Sequence, residues 1–440
     1  MKLIKMKNVL LLILAVGLCT SCVWSRKYHS VEDIRESKLP PQLVSFREEG
    51  FKKIPAIIHP DSLPHLVWFT MTKDTIPNIP VSFFDFKKLR VLLLSENDLG
   101  EIPIEIGKFK KLRLLEIGRN NLKEVPSSIL ELKKLNRLSV VINQLEELPE
   151  QIGEMKGLKE LRADSNLITK IPSSIGDLKK LVILSLSYNK IKNIPQNIGR
   201  LNKVINLNLA HNEIESIPEN IGDMKKMMSL NLIGNQIKEL PQSMANLTKI
   251  VVLHLADNEI EGIDFSFEKL TELVILNLAG NKITEIPSSI RGLKKITKIN
   301  IANNKVKEIP DFIGDLASLT HLYLQDNQLQ GLPTSIEKLK NLRILNLRNN
   351  QIEEFPNVLA SATKIRKVLL GNNKIKTLPK SIGGLDGLTH LDLSSNELES
   401  LPSSIQNLKN LEELNIKGNN IDKAELKKLQ KLLPRCRILW

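Results

Sequence analysis

The sequence predicts a solenoid of the α/β type, one elongated domain in which every unit adds a short strand to a parallel sheet and returns on the opposite face. Three observations carry this reading. Asparagine recurs at a step of 23 residues without insertion, at Asn97, Asn120, Asn143, Asn166, Asn189, Asn212, Asn235, Asn258, Asn281, Asn304, Asn327, Asn350, Asn373, Asn396 and Asn419. One step before Asn97 stands Asp74 with the same flanks, Phe69, Met71, Ile76, Ile79 and Pro80, which makes sixteen units. Fourteen of the 21 prolines fall in a single column of this period, six residues after the Asn. For a chain of 440 residues, length alone suggests about three domains, but a fixed period of this size marks a repeat array and overrides that expectation.

With Asn at position 0, apolar residues occupy −8, −5, −3, +2, +5, +9 and +12, and proline occupies +6. Leu345, Asn346 and Leu347 alternate as a strand with one buried face does. After the Asn the apolar spacing opens to threes, as in Ile352, Phe355 and Val358, and the proline removes a backbone donor. That half is predicted to be irregular or 3₁₀-like. The pattern LxxLxLxxNxIxxIPxxIxxLxx resembles the 23-residue form of the leucine-rich repeat family, over about residues 60 to 421. Departures are Asp74 for Asn, Ala163 at −3, Asp264 at the proline position and Ala362 at +12. The resemblance implies a horseshoe with a concave parallel sheet, a convex face of 3₁₀, irregular or short helical segments, and an interaction module without catalysis.

The Asn column has a physical reason. Stacked units bury their turns, the buried backbone groups need partners, and an Asn side chain both donates and accepts. The fifteen asparagines are therefore expected to form a structural ladder. The ends depart from the period. Residues 44–65 echo it weakly (Val44, Phe46, Phe51, Ile54, Pro55) and are expected to cap residues 66–421. Residues 422–440 form a C-terminal cap: Asp422 and Glu425 have capping-box spacing before a Leu426, Leu429, Leu432, Leu433 stripe, and Cys436, Ile438 and Trp440 then alternate as a closing strand.

The N-terminus carries Lys2, Lys5 and Lys7, a short apolar run from Val9 to Leu18, and small residues before Cys22. This is the plan of a secretory signal, too short for a membrane span. The CTSC ending resembles a bacterial lipobox, with Cys19 where that motif usually has Leu. Residues 1–21 are thus expected to be a lipoprotein signal peptide, Cys22 the acylated residue, and residues 22–43 a polar tether. Ordinary signal cleavage and an uncleaved anchor stay open as alternatives. The expected location is outside the cytoplasm, anchored in the bacterial outer membrane or at the cell surface. After cleavage only Cys22 and Cys436 remain, so no intramolecular disulfide framework is available.

Function is then confined to the outward columns −6, −4, −2 and −1. His211, His254, His321 and His390 lie there but do not converge, and no metal site or cofactor is expected. No GxSxG elbow or glycine-rich phosphate loop occurs, and no enzyme domain is expected in the short flanks of the repeats. The net charge of +14 invites a nucleic-acid reading, but paired lysines such as Lys179 and Lys180 stand at −10 and −9 on the convex edge. Columns −6, −4 and −2 hold six basic and five acidic residues, so nucleic acid is not expected. A mixed cluster of His321, Tyr323, Gln325, Asp326, Arg348, Lys367, His390 and Asp392 has an interface-like composition and is the candidate ligand site. Trp68, Val91, Leu93 and Leu114 form a secondary apolar patch. The expected partner is a protein bound by a monomer on the concave face. An anionic glycan or envelope component on the basic convex edge is the alternative.

Overall fold

The computed structural model describes residues 30–35, 42–361 and 364–440, so Cys22, the signal segment and Ala362 lie outside the described residues. Eighteen strands form one sheet. They are β1 (Leu43–Arg47), β2 (Trp68–Thr72), β3 (Val91–Leu93), β4 (Leu114–Glu116), β5 (Arg137–Ser139), β6 (Glu160–Arg162), β7 (Ile183–Ser185), β8 (Asn206–Asn208), β9 (Ser229–Asn231), β10 (Val252–His254), β11 (Ile275–Asn277), β12 (Lys298–Asn300), β13 (His321–Tyr323), β14 (Ile344–Asn346), β15 (Lys367–Leu369), β16 (His390–Asp392), β17 (Glu413–Asn415) and β18 (Arg437–Leu439). Neighbours in sequence pair in parallel, with equivalent positions opposite one another: Leu253 faces Leu276, and Leu276 faces Ile299. The repeat period thus becomes register directly, and every column of the sequence is a row across the sheet.

Each strand from β3 to β17 occupies −6 to −4, one residue earlier than the alternation suggested, because at −3 the chain begins to turn while its N–H still bonds the next repeat, as from Leu278 to Asn300 O at 2.8 Å. The turn needs a left-handed residue at −1. Glu96, Arg119, Ile142, Tyr188, His211, Asp257 and Asn303 all have φ between 52° and 61° there, and Gly234, Gly280 and Gly418 take the same place. Aspartate, asparagine and glycine accept this conformation readily, whereas the β-branched Ile142 does not.

On the return limb the proline caps a 3₁₀ helix, and Pro287 O accepts from Ile290 N at 3.1 Å. Where Asp264 replaces the proline, no 3₁₀ helix lies between β10 and β11, and buried Phe265 and Phe267 fill the space instead. The leucine and isoleucine columns form one continuous buried cluster along the array.

Both ends are closed. The segment read as a tether contains helix α1 (Val31–Arg35), started by a reciprocal box in which Ser30 Oγ accepts from Asp33 N and Asp33 Oδ2 accepts from Ser30 N, both at 3.0 Å. Its Ile34 is buried against the core. Leu43, assigned to that tether, is already in β1. Phe46, Phe51, Phe69, Phe83, Phe84, Phe86 and Phe109 make successive ring contacts through the first rungs. At the other end Asp422 caps α2 (Lys423–Leu432), accepting from Glu425 N at 2.7 Å, and Leu426, Leu429 and Leu433 are buried. The closing strand is shorter than expected: Cys436 and Trp440 flank β18, the first half-buried and the second with 62% of its surface exposed.

Candidate functional site

The inward turn of each unit is satisfied by its asparagine. Asn281 Nδ2 donates to Leu278 O of its own turn and Leu255 O of the preceding one, both at 3.0 Å, and Asn281 Oδ1 accepts from Ile260 N at 3.0 Å. Asn97 and Asn419 at the two ends of the ladder make the corresponding bonds. Asp74 has no amide to donate. Its Oδ1 accepts from Phe51 N at 2.9 Å, while its buried Oδ2 has no partner.

The outward columns are less passive than their polarity suggested. The −4 asparagines bond backbone: Asn277 Oδ1 accepts from Ala279 N at 3.3 Å and Asn300 Oδ1 from Ala302 N at 3.1 Å. They hold the −2 residue in the bend that follows the strand. In these units the side chain at −2 is presented from a fixed backbone.

Across β4, β5 and β6 runs a charge ladder that the column counts did not reveal. Arg137 Nη1 lies 3.6 Å from Glu116 and its Nε 2.7 Å from Glu160, while Arg162 Nε lies 2.5 Å from the other oxygen of Glu160. The Glu160 side chain is only 7% exposed, so two guanidinium groups neutralise an almost buried carboxylate. These residues line a shallow depression of about 390 Å³. Trp68, Val91 and Leu114, in register on β2, β3 and β4, form a half-buried apolar row beside it, with Leu93 in the row of Glu116.

At the far end the structure separates the residues of the mixed cluster into two arrangements. Lys298 Nζ lies 5.2 Å from the Tyr323 ring centre, and His321 stacks on that ring with centroids 6.2 Å apart. Burial first, then Lys298 and Arg343, hold the His321 pKa below its ordinary value of 6.5. Arg348, grouped with Tyr323 in the candidate cluster, reaches two rungs along to Asp392, with Nε 2.5 Å from Oδ2. Gly371 lies between them, and a Cβ there would stand 3.0 Å from the Asp392 carboxylate, so glycine leaves the guanidinium its path. Asp392 also accepts from Ser394 N and Oγ, at 3.1 and 2.7 Å. Asp326 accepts from Asn349 Nδ2 at 2.5 Å, and Asn349 Oδ1 accepts from Asn372 at 2.9 Å, a separate row along the turn edge. Gln325 has a buried Oε1 without a partner. Lys367 and His390 face each other across β15 and β16.

Profiles of leucine-rich repeats match residues 83–167, 156–214, 204–260, 252–306, 317–361 and 363–421. The chain belongs to the leucine-rich repeat family. Among solved structures, this leucine-rich repeat chain is similar to a leucine-rich repeat protein of Leptospira interrogans, at 29% identity and TM-score 0.77, covering 95% of this chain and 100% of that one. It is also similar to the plant peptide hormone receptor RGFR1 in complex with RGF2, at 32% identity and TM-score 0.76, covering 86% of this chain but 64% of the receptor chain. A third similar structure is an internalin of Listeria monocytogenes, at 25% identity and TM-score 0.62, covering 70% of this chain and 87% of that one. No curated protein sequence matches the chain.

Proposed function

We propose that this leucine-rich repeat chain is an exported, lipid-anchored binding protein that captures a protein ligand on its concave sheet face and performs no catalysis. The observation that carries the reading is the far-end arrangement. Tyr323 is held by Lys298 and His321, and the Arg348–Asp392 pair is fixed across Gly371 on the same open face. Aromatic and arginine side chains immobilised before binding lose little entropy when a partner arrives, which is how interface hot spots work. RGFR1, whose structure contains the peptide RGF2, supports the same use of the fold. The convex edge is less suited to a polyanion, because Lys110, Lys133 and Lys295 are each engaged by a glutamate of an adjoining repeat.

The test is capture of a ligand with the chain as bait, followed by titration against variants. Tyr323→Ala and Lys367→Ala should each weaken binding by about 1 kcal/mol or more, while Lys179→Ala and Lys180→Ala leave it unchanged. Loss only in the convex lysine variants, with binding abolished at about 0.5 M salt, supports a glycan instead. Loss only at Trp68→Ala or Leu93→Ala keeps the face and moves the site to the apolar row. For the anchor, Cys22→Ser should abolish labelling by palmitate and release the chain from membranes, and unchanged labelling refutes it.

A further inference from the structure

The strand starts at the far end of the sheet carry charge that the column counts missed, because position −7 borders the concave face as well. Arg343 and Arg366 stand at −7, and Lys298 and Lys367 at −6, on three of the five rungs from β12 to β16. Among the described residues none of these four cations has a carboxylate within ion-pair distance, in contrast to Arg137, Arg162 and Arg348 on the same face. The carboxylate of these strands is Asp392, and Arg348 already neutralises it. Arg366 uses one Nη to reach Gly387 O at 2.9 Å, which orients it without compensating its charge. Ile344 and Leu369 are half-buried among these cations in the −6 and −4 rows. Several unpaired cations on neighbouring rungs produce a positive local field.

We propose that the strand-start edge of the sheet from β12 to β16 docks an acidic segment of a partner protein that also carries apolar side chains. The proposal rests on the concave-face reading and adds the chemical class of the ligand. Charge complementarity selects acidic groups, since the four cations lack counter-charges. Ile344 and Leu369 select a polypeptide over a uniformly anionic polysaccharide, because an apolar contact needs an apolar counterpart. The lowered pKa of His321 fits the same field, with Lys298 and Arg343 acting against its protonation after burial.

The probe is a fluorescein-labelled peptide of repeated Glu-Glu-Leu, titrated by anisotropy into the mature chain at an ionic strength of about 0.1 M, where the screening length is about 10 Å. A Lys-Lys-Leu peptide serves as the charge-reversed control and dextran sulfate as the polysaccharide competitor. The Arg343→Glu, Arg366→Glu double variant should lose about tenfold or more in affinity, and Arg343→Gln, Arg366→Gln should lose less. Both positions are exposed, so an unchanged melting curve accompanies the loss. The Lys179→Glu, Lys180→Glu variant makes the same charge change on the convex edge and should bind as the parent does. Equal loss in the two reversal variants means diffuse attraction and overturns the proposal. Tighter binding of dextran sulfate than of the peptide, lost in the convex variant, overturns it together with the concave-face reading. No binding of the Glu-Glu-Leu peptide, while a captured ligand still depends on Tyr323, overturns the acidic class alone.

Discussion

Asn281 makes three backbone bonds at or near 3.0 Å from a buried position, so its loss orphans groups in two turns. Asn281→Ala should cost about 1–3 kcal/mol, whereas the outward-facing Asn206→Ala stays within about 0.5 kcal/mol. Denaturant midpoints compare the two. Asn277→Ala should fall between them, because its side chain carries one backbone bond at the surface. Asp74 predicts the opposite sign. Its unpartnered Oδ2 occupies the place of a donating amide, and Asp74→Asn should stabilise by about 1 kcal/mol in the same melts. Ile142 has φ 53°, a conformation costing a β-branched residue about 1–2 kcal/mol, so Ile142→Asn should raise the midpoint. The Asn column was legible in the sequence because one residue type satisfies its hydrogen bonds. The left-handed −1 column was not, because backbone pairing imposes it on arginine, isoleucine, tyrosine and histidine alike.

At the scale of elements, period and register are the same information, which is why the sixteen repeat strands, the 3₁₀ returns capped by proline and the helix beginning at Asp422 could be read from spacing. Helix α1 escaped notice because it is five residues long, with no period to announce it and only the Ser30–Asp33 box to start it. The charge pairs escaped for a different reason. Counting columns gives a nearly neutral face, but Glu160 pairs with Arg162 on its own rung and with Arg137 on the rung before, and Arg348 skips a rung to reach Asp392, leaving cations unpaired elsewhere. The ladder predicts an asymmetry. Glu160→Ala strips two arginines of an almost buried partner and should destabilise by about 2 kcal/mol, while Glu116→Ala, at a more exposed pair, stays below about 1 kcal/mol. Thermal unfolding of the two variants distinguishes them. Arg348→Ala likewise exposes Asp392 to a lost counter-charge, so it reports stability as well as binding.

For the whole molecule, the concave face couples pH to stability through two histidines. Burial is the main cause that lowers the pKa of His254 and His321 from 6.5, and Lys298 adds to it in both. As pH falls through about 6.5 the unfolded chain takes up protons that the folded rings refuse, so the stability present above that pH declines until the lowered folded values are reached. Melts at about pH 8 and about pH 6 should show this decline, and a His254→Gln, His321→Gln variant should flatten it over that window. The same face carries the central claim, that a protein ligand docks on the sheet between β12 and β16. Hydrogen–deuterium exchange of the chain with and without its captured ligand tests it most directly. The account predicts protection in the peptides spanning Lys298 to Asp392 at strand and turn positions, with the 3₁₀ returns unchanged. Protection confined to the returns that carry Lys179 and Lys180, with the sheet unaffected, would contradict it.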